Sequence, residues 1–209
     1  APKPEPAPAS TLGMMKSQSV YRQQYFKEAE CFECGHKLVV NRSCKATDCP
    51  QCSAVICLED LDINQHHTEA IRTRGDVTIR RTGRVTAAAV ECRDLRCLGI
   101  IEAEIRCAGD AVFRAEGAIT RPVHCRKLTI EKGSDITFNH PVNATEIYIN
   151  GRVSGQLTCT GKIIVGLYGS MNGDITARAV SMEPGGELNG AINIVSAPPA
   201  PPVELPAKA

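Results

Sequence analysis

The feature that most constrains the fold is a short pattern that occurs three times between Ile147 and Ile194. Each copy has two apolar residues two positions apart, then a turn, then a five-residue segment with glycine at its centre. The three segments are Val153-Ser154-Gly155-Gln156-Leu157, Met171-Asn172-Gly173-Asp174-Ile175 and Leu188-Asn189-Gly190-Ala191-Ile192. The copies follow one another at about 17 residues, a period that is typical of stacked repeats.

One copy can supply two strands but is too short to bury its apolar face alone. Stacking the copies ~4.8 Å apart gives each strand a neighbour on both sides and closes the apolar residues into a core. The sequence therefore predicts an all-β fold, a single-stranded parallel β-helix (β-solenoid). About seven coils, beginning near Arg72, would form a stack about 30 Å long. An antiparallel sandwich also has short, regularly spaced strands, but it gives no reason for glycines that repeat in phase.

A pattern of four cysteines precedes the repeats. Cys31 and Cys34 form one CxxC pair, and Cys49 and Cys52 form a second pair after a segment of hairpin length. Two such pairs let four thiolates converge tetrahedrally on one Zn²⁺, which predicts a small zinc ribbon. Four thiolates leave no open position for water or substrate, so we expect the zinc to be structural and to supply the folding energy of so small a unit.

Other residues of this region could compete as ligands. Cys44, Cys57 and His36 are the candidates, but none has a partner at the spacing of a CxxC knuckle. A packing or surface role is the favoured interpretation for all three. The pair His66-His67 is a weaker candidate and is interpreted as part of a linker.

Composition divides the chain into five segments. Residues 1–30 are predicted to be a disordered or linker tail, 31–63 the zinc ribbon, 64–71 a connector, 72–195 the β-helix and 196–209 a Pro-rich disordered tail.

The formal net charge of +1 gives no global electrostatic argument for nucleic acid or membrane binding. No apolar run approaches the ~20 residues of a membrane-spanning helix.

Cysteine usage indicates the compartment. Eleven is an odd number, and several cysteines occupy strand-like apolar positions, where a free thiol behaves as a small hydrophobe. The examples are Cys97, Cys107, Cys125 and Cys159. Free thiols favour a reducing compartment and metal binding over a disulfide framework. We therefore expect a cytoplasmic protein, with membrane association as an alternative.

The glycine-centred segments resemble those of bactofilins, the bacterial polymer-forming cytoskeletal proteins. The connection from Ala177 to Met182 and the Pro-rich tails on both sides add to the resemblance, which covers residues 72 to 195. It implies a right-handed β-helix that assembles end to end, without nucleotide, into filaments that scaffold cell-shape or envelope machinery. It also implies envelope or peptidoglycan-related proteins as partners and, in parts of the family, peripheral membrane contact through the tail. The zinc ribbon departs from the family pattern of a disordered tail followed by a β-helix.

A physical argument for assembly stands beside this resemblance. The end coils of a solenoid have backbone groups and apolar residues without a neighbour, so they are templates for another chain unless they are capped. The predicted polymer interface comprises Val77, Ile79 and Val85 at the first coil and Val180, Met182, Leu188, Ile192 and Ile194 at the last. Nothing after Ile194 predicts a capping helix, and the alternative is a tail that folds back over the last coil.

One basic cluster could bind an acidic partner, anionic lipid or nucleic acid. It comprises Arg72, Arg74, Arg80, Arg81 and Arg84. Outward positions of a strand are polar in any case, so a solvated face is the favoured interpretation. Nucleic acid is not expected at the ribbon, because residues 31–58 carry few basic residues and only Phe32 as an aromatic residue.

No catalytic constellation is evident in the sequence. His124 and His140 lack a carboxylate, serine or cysteine partner at a meaningful spacing. We therefore expect a protein that is not an enzyme and has no small-molecule substrate. Two other functions stay open: a β-helix enzyme of the acyltransferase or carbonic-anhydrase kind, which would show hexapeptide periodicity, and a zinc-ribbon module that binds nucleic acid or a regulatory protein, which would need an aromatic and basic face.

Overall fold

The computed structural model describes residues 25–41 and 43–195. The two predicted tails therefore lie outside the described residues, except for the last residues of the first. In the described part of the chain, no helix has the length and the apolar character that a membrane span requires. The chain divides into two compact units, one made of residues up to 60 with 73–75 and the other of residues 61–72 with those from 76 onward.

The first unit consists of two antiparallel hairpins. Strand β1 (Phe26–Glu30) pairs with β2 (Lys37–Asn41), and β3 (Ala46–Asp48) pairs with β4 (Val55–Cys57). The inward residues form a small separate core of Ala29, Cys31, Val40, Cys49, Ile56 and Leu58. The first hairpin begins at Phe26, within the segment predicted as a tail, because β1 is fixed by pairing with β2 and has little apolar periodicity of its own.

The second unit contains twenty short strands. In chain order they are β5 (Leu61–Ile63), β6 (His66–His67), β7 (Ile71–Arg72), β8 (Val77–Ile79), β9 (Arg84–Cys92), β10 (Leu95–Cys97), β11 (Ile100–Cys107), β12 (Asp110–Phe113), β13 (Glu116–Ile119), β14 (Val123–Ile130), β15 (Asp135–Phe138), β16 (Val142–Ile149), β17 (Arg152–Ser154), β18 (Leu157–Cys159), β19 (Lys162–Val165), β20 (Ser170–Asn172), β21 (Ile175–Ala177), β22 (Ala179–Met182), β23 (Glu187–Asn189) and β24 (Ile192–Ile194). All of their pairings are parallel.

These strands wind into about eight coils with three faces. Face A consists of β5, β8, β10, β12, the second halves of β14 and β16, β19 and β22. Face B consists of β6, the first halves of β9 and β11, β13, β15, β17, β20 and β23. Face C consists of β7, the second halves of β9 and β11, the first halves of β14 and β16, β18, β21 and β24. The predicted parallel β-helix is confirmed; its right-handedness stays a prediction.

The solenoid begins earlier than the sequence indicated. Strand β5 pairs with β8, and β6 and β7 both pair with β9, so residues 61–72 form a complete coil. The predicted connector, residues 64–71, is therefore part of the first coil. It was not evident because β6 is His66-His67 and lacks the apolar alternation by which the later strands are recognised.

Apolar residues of successive coils stack in rows to form the core. One row on face A contains Val77, Leu95, Ala111, Leu128, Ile147 and Ile163, all essentially inaccessible to solvent. The interior cysteines belong to the same core, as expected for free thiols used as small hydrophobes. Burial raises the pKa of the Cys97 thiol to about 12, so it stays protonated at neutral pH.

The repeated glycines lie at the corner between face B and face C. Each five-residue segment thus contributes to two strands, as with β20 and β21 on either side of Gly173, and each coil has three strands where two were expected. Gly155, Gly173 and Gly190 have φ of 134°, 134° and 141°. A Cβ on Gly173 would lie 2.1 Å from the carbonyl oxygen of Gly155 in the preceding coil. Only glycine satisfies both the backbone conformation and this close approach.

Ion pairs join successive coils along the outer surface. Arg126 contacts Asp110 at 2.7 Å, Arg152 contacts Asp135 at 3.2 Å, and Arg72 contacts Glu91 at 3.0 Å. In each case, the two partners belong to neighbouring coils. Because the arginine side chain of each pair is more than half exposed, each pair contributes at most about 1 kcal/mol to stability.

Candidate metal centre and assembly surface

The four cysteines of the two CxxC pairs converge in the first unit. All four Sγ atoms lie within 4.8 Å of one another. The Sγ atoms of Cys31 and Cys52 are 3.5 Å apart, and those of Cys34 and Cys49 are also 3.5 Å apart. Each short distance thus joins a cysteine of one CxxC pair to a cysteine of the other. The two knuckles therefore meet around a common centre, as a tetrahedral site with two ligands from each knuckle requires.

Each CxxC pair is held at the end of a β-hairpin by the same two backbone hydrogen bonds. In the first knuckle, the amide of Cys31 donates to the carbonyl of His36 at 2.9 Å, and the amide of Gly35 donates to the carbonyl of Cys31 at 3.2 Å. In the second knuckle, Cys49 donates to Ala54 and Ser53 donates to Cys49, both at 2.9 Å. The two hairpins thus present their cysteines in equivalent ways.

Backbone amides stabilise the thiolate form of Cys31. The amides of Cys34 and Glu33 point at Sγ, with the Glu33 nitrogen at 3.4 Å, and they lower the pKa of this thiol to about 6. The amide of Ala54 acts in the same direction on Cys52, but hydrogen bonding to Cys31 and burial outweigh it and raise the pKa of Cys52 to about 12. Here the thiols stand in for metal-bound thiolates. Four such thiolates are mutually tolerable only around a cation.

The three competing ligands lie outside this cluster. Among the described residues, the only group of three or more potential ligands is the one made of the four cysteines. The thiol of Cys44 instead donates to the carbonyl of Ala46 at 2.9 Å. Cys57 lies on β4, and the carbonyl of His36 closes the first knuckle. The residues brought together are thus Cys31, Cys34, Cys49 and Cys52, the set that the sequence predicts; metal binding by them stays a prediction.

Sequence reasoning missed a residue that supports the first unit, because it placed Arg74 in a surface patch. Arg74 donates from Nε to the carbonyl of Glu30 at 2.7 Å, and its guanidinium lies 4.0 Å from the ring centroid of Phe32. Its neighbour Thr73 donates to the carbonyl of Glu59 at 2.7 Å. Residues 73–75 therefore hold both the strand that leads into the first knuckle and the aromatic ring inside it. No local signal in the sequence indicates this contact.

A difference between the two knuckles gives a testable prediction. The position after the CxxC pair has positive φ in both, +69° at Gly35 and +58° at Ser53. A side chain in this region costs about 1 kcal/mol. We expect Ser53→Gly to stabilise the metal-loaded ribbon by about that amount and to slow metal loss to a chelator about fivefold.

The reciprocal variant Gly35→Ser is the matched control. A Cβ at Gly35 meets only Glu30 Oε1, at an ordinary contact distance of 3.7 Å, so the variant adds strain without a clash. It should accelerate metal loss by a similar factor. Equal rates in both variants and the parent chain would show that backbone strain at this position does not matter.

The basic cluster is largely compensated by acidic partners. Arg80 donates from Nε to Asp62 at 2.7 Å, and Arg84 contacts Glu102 at 2.7 Å. Arg72 pairs with Glu91, and Arg74 belongs to the first unit as described above. Arg81 is exposed. Binding of an anionic partner by this cluster stays a prediction, and the local charge available for it is small.

The last coil exposes its apolar residues. Met182 is 55% exposed, Ile192 49% and Ile194 52%, whereas Val180 and Leu188 are partly buried against the core. The corresponding residues of the preceding coil are buried: Val165, Met171, Ile175 and Ala177. The five residues predicted for this end of the polymer interface thus lie together on the terminal coil.

The residues predicted for the other end do not lie on an end coil. Val77, Ile79 and Val85 are fully buried in the second coil, between strands of the first and third coils. Their assignment followed from the late start given to the solenoid. Since the first coil is formed by β5, β6 and β7, these three residues belong to the continuous core and cannot present a free edge.

The histidines of the solenoid belong to no second group of potential metal ligands among the described residues. His66 lies 3.3 Å from the hydroxyl of Thr86, between Nε2 and Oγ1, and neither belongs to a group of carboxylates or thiols. Arg93 and Asp76 form a close ion pair within the solenoid. The described residues thus contain one candidate metal centre, the four-cysteine cluster.

Comparison with known proteins agrees with this architecture. The family model described as "Bactofilin: Polymer-forming cytoskeletal" matches residues 53–139 and 134–193. Neither the curated proteins nor the solved structures gave a significant match. The matched residues cover the stacked coils and more than half of the chain, so the chain belongs to the Bactofilin family of polymer-forming cytoskeletal proteins.

Proposed function

We propose that this protein is a non-enzymatic scaffold that assembles end to end through its last coil into filaments. The observation that carries the proposal is the exposure of the apolar row on β22 and β24, next to a coil in which the same row is buried. Apolar side chains at the end of a repeat stack are stabilised by a further repeat, which a second chain can supply. The filaments would need no nucleotide and would support cell shape or envelope machinery.

The backbone of the last coil favours the same mode of assembly. Among the described residues, β22, β23 and β24 each pair on one side only, with β19, β20 and β21. The unpaired edges of three strands therefore surround the exposed apolar residues. Such an edge is a template for strand addition. A second molecule placed there would extend three sheets and continue the core at once.

Zinc is the metal that best fits the four-cysteine cluster. Thiolate ligands in two interleaved CxxC pairs favour Zn²⁺ over hard cations, which prefer oxygen. Cys31, Cys34, Cys49 and Cys52 would hold the ion and leave no position for substrate. The ion would supply structural stabilisation of the first unit, whose own core is small.

The free cysteines indicate the compartment in which the protein is located. All eleven cysteines lie within the described ranges and are free, which supports a reducing, cytoplasmic compartment. Envelope or peptidoglycan-related proteins are the proposed partners of the filaments. Peripheral membrane contact would have to come from outside the described residues or from Arg81 and its neighbours.

The proposal is tested by sedimentation and negative-stain microscopy of the purified protein at moderate salt without nucleotide. The parent chain should form filaments. Ile192→Lys places a charge in the interface and should lower the pelleted fraction at least about tenfold, a loss of about 1.4 kcal/mol or more per contact. Zinc content and far-ultraviolet circular dichroism should not change.

Ile100→Lys is the matched control, since Ile100 is also 49% exposed but lies on the wall of the third coil. It should polymerise like the parent chain. Filaments that persist with Ile192→Lys would exclude the last coil as the interface. A folded parent chain that stays monomeric over a wide concentration range would overturn the filament proposal itself.

A further inference from the structure

Three cysteines follow one another in an interior row of face C. Cys92 at the end of β9 is in register with Cys107 at the end of β11. The pairing of Arg106 with His124 makes Cys125 the next member of this row, on β14. Cys92 and Cys107 are buried, and Cys125 is half-buried. Thiols thus lie in one row on three successive coils.

The first two of these thiols are placed as a disulfide requires. The Sγ atoms of Cys92 and Cys107 are 3.4 Å apart. The two residues lie in register on neighbouring parallel strands, so their Cα atoms are ~4.8 Å apart. Disulfides join Cα atoms about 4.4–6.8 Å apart, so the strands need not separate for a bond to form. The buried thiols of Cys97 and Cys159 bond to backbone carbonyls instead.

The junction between the third and fourth coils gives small solutes a route to Cys107. In the described part of the chain, no ladder joins β11 to β13 on face B, although neighbouring strands pair at every other junction of this face. On face C, β11 and β14 pair only at Ile105 with Val123 and at Arg106 with His124, and Cys107 follows directly. A junction with so few ladder hydrogen bonds opens more readily than the rest of the stack.

The environment of Cys107 keeps the thiol unreactive while this junction is closed. Hydrogen bonding to Cys92 and burial raise the pKa of the Cys107 thiol well above its usual range. The thiolate is the form that reacts with oxidants. Oxidation is therefore expected to depend on opening of the junction and to be slow in the closed solenoid.

We propose that Cys92 and Cys107 form a redox modification site, which hydrogen peroxide converts into a disulfide between the second and third coils. Cys107 gives its proton to solvent, and its sulfur attacks one peroxide oxygen. The O–O bond breaks, and the hydroxide that leaves takes up a proton to become water. The product is a sulfenic acid on Cys107.

Cys92 completes the reaction as the resolving thiol. Its sulfur attacks the sulfenic sulfur of Cys107, so that the S–S bond forms and the S–O bond breaks. The departing hydroxide takes the proton of the Cys92 thiol and becomes a second water. The two sulfurs lose two electrons in total, and the two peroxide oxygens gain them.

The disulfide would close residues 92–107, one whole coil, into a covalent ring. A bond that closes a loop of this size restricts the unfolded chain, so the equilibrium constant for unfolding of the solenoid should fall about a hundredfold. The second and third coils lie at the opposite end of the stack from β22, β23 and β24. The inference therefore does not depend on assembly through the last coil.

Peptide mapping after oxidation tests the proposal on the full chain, prepared with Zn²⁺ and carrying Ile192→Lys so that assembly does not affect stability. The chain is treated with hydrogen peroxide, its free thiols are alkylated, and it is digested with trypsin. Cleavage after arginine places the cysteines in separate peptides: 85–93 with Cys92, 97–106 with Cys97, 107–114 with Cys107 and 115–126 with Cys125. Peptide 85–93 should be linked to 107–114 in chains of monomeric mass.

Urea unfolding of oxidised and reduced chains measures the stabilisation. Cys92→Ala should lose both the link and the gain in stability. Cys159→Ala is the matched control, because it removes another buried cysteine of face C and leaves the pair intact. It should keep both effects, and a reductant should reverse them.

Three results would overturn the proposal. The first is free Cys92 and Cys107 in folded chains whose Cys125 has been oxidised. The second is a link from Cys107 to Cys125 in place of Cys92. The third is a link that forms equally fast in urea-unfolded chains, since the fold would then not be what brings the two thiols together.

Discussion

Replacing Cys49 by serine is expected to abolish metal binding and to unfold the first unit while the solenoid stays folded. Cys49 is one of the four cysteines of the cluster, and its Sγ lies 3.5 Å from that of Cys34. Structural zinc contributes on the order of 10 kcal/mol to the folding of such small units, far more than their hydrophobic cores can supply. Metal content per chain should fall from about one to near zero. Hydrogen exchange should show loss of protection from β1 to β4 only, since the two units have separate cores.

Cys44→Ser is the matched control for this experiment. Cys44 is also a cysteine of the first unit, but its thiol bonds to the carbonyl of Ala46 and lies outside the cluster. Full metal content and protection are expected. A Cys49→Ser chain that keeps its ribbon folded after chelation would show that the hairpins do not depend on a metal.

The second large effect is expected at Gly173. An alanine there has an unfavourable φ of 134° and places its Cβ 2.1 Å from the carbonyl oxygen of Gly155. The first effect costs roughly 1–3 kcal/mol. The second forces two coils apart, because the contacting atom belongs to the backbone and cannot rotate away. A total loss of roughly 4 kcal/mol or more is expected for the solenoid, measured by denaturant-induced unfolding.

Gly117→Ala separates the two contributions. Gly117 has the same φ of 134°, but a Cβ there has no atom within 4 Å. It should cost only the conformational part, so Gly173→Ala should be less stable than Gly117→Ala by at least about 2 kcal/mol. If the two variants lose the same stability, the close approach between coils is not what requires glycine at the corner.

The parts of the fold that could be predicted are those whose residues repeat or pair locally. The spacing of Gly155, Gly173 and Gly190 predicts stacking because the same close approach recurs in three successive coils. The four cysteines predict a common centre because a knuckle is a local structure with a fixed ligand spacing. In both cases the sequence itself displays the constraint, as a repeat in the first and as a ligand spacing in the second.

The parts that could not be predicted depend on contacts distant in sequence. The strand His66-His67 belongs to the first coil only because it lies against β9. Arg74 resembles the other arginines in sequence, and its stacking on Phe32 depends on the return of the chain to the first unit. Gly117 lies in register with the buried Ile136 of the next coil, and no sequence pattern marks it, because this register follows from the pairing of β13 with β15.

The ion pairs between successive coils affect the order in which the coils stack during folding. Two coils with segments as similar as Met171-Asn172-Gly173 and Leu188-Asn189-Gly190 fit the same place in the stack, so apolar shape alone does not prevent misthreading by one turn. Charge favours the observed order of the coil before them: Arg152 faces Asp135, and a shift by one turn would place the uncharged Ser170 opposite Asp135. Pairs of this kind contribute little to overall stability. Together they favour the observed order of the coils over an order shifted by one turn.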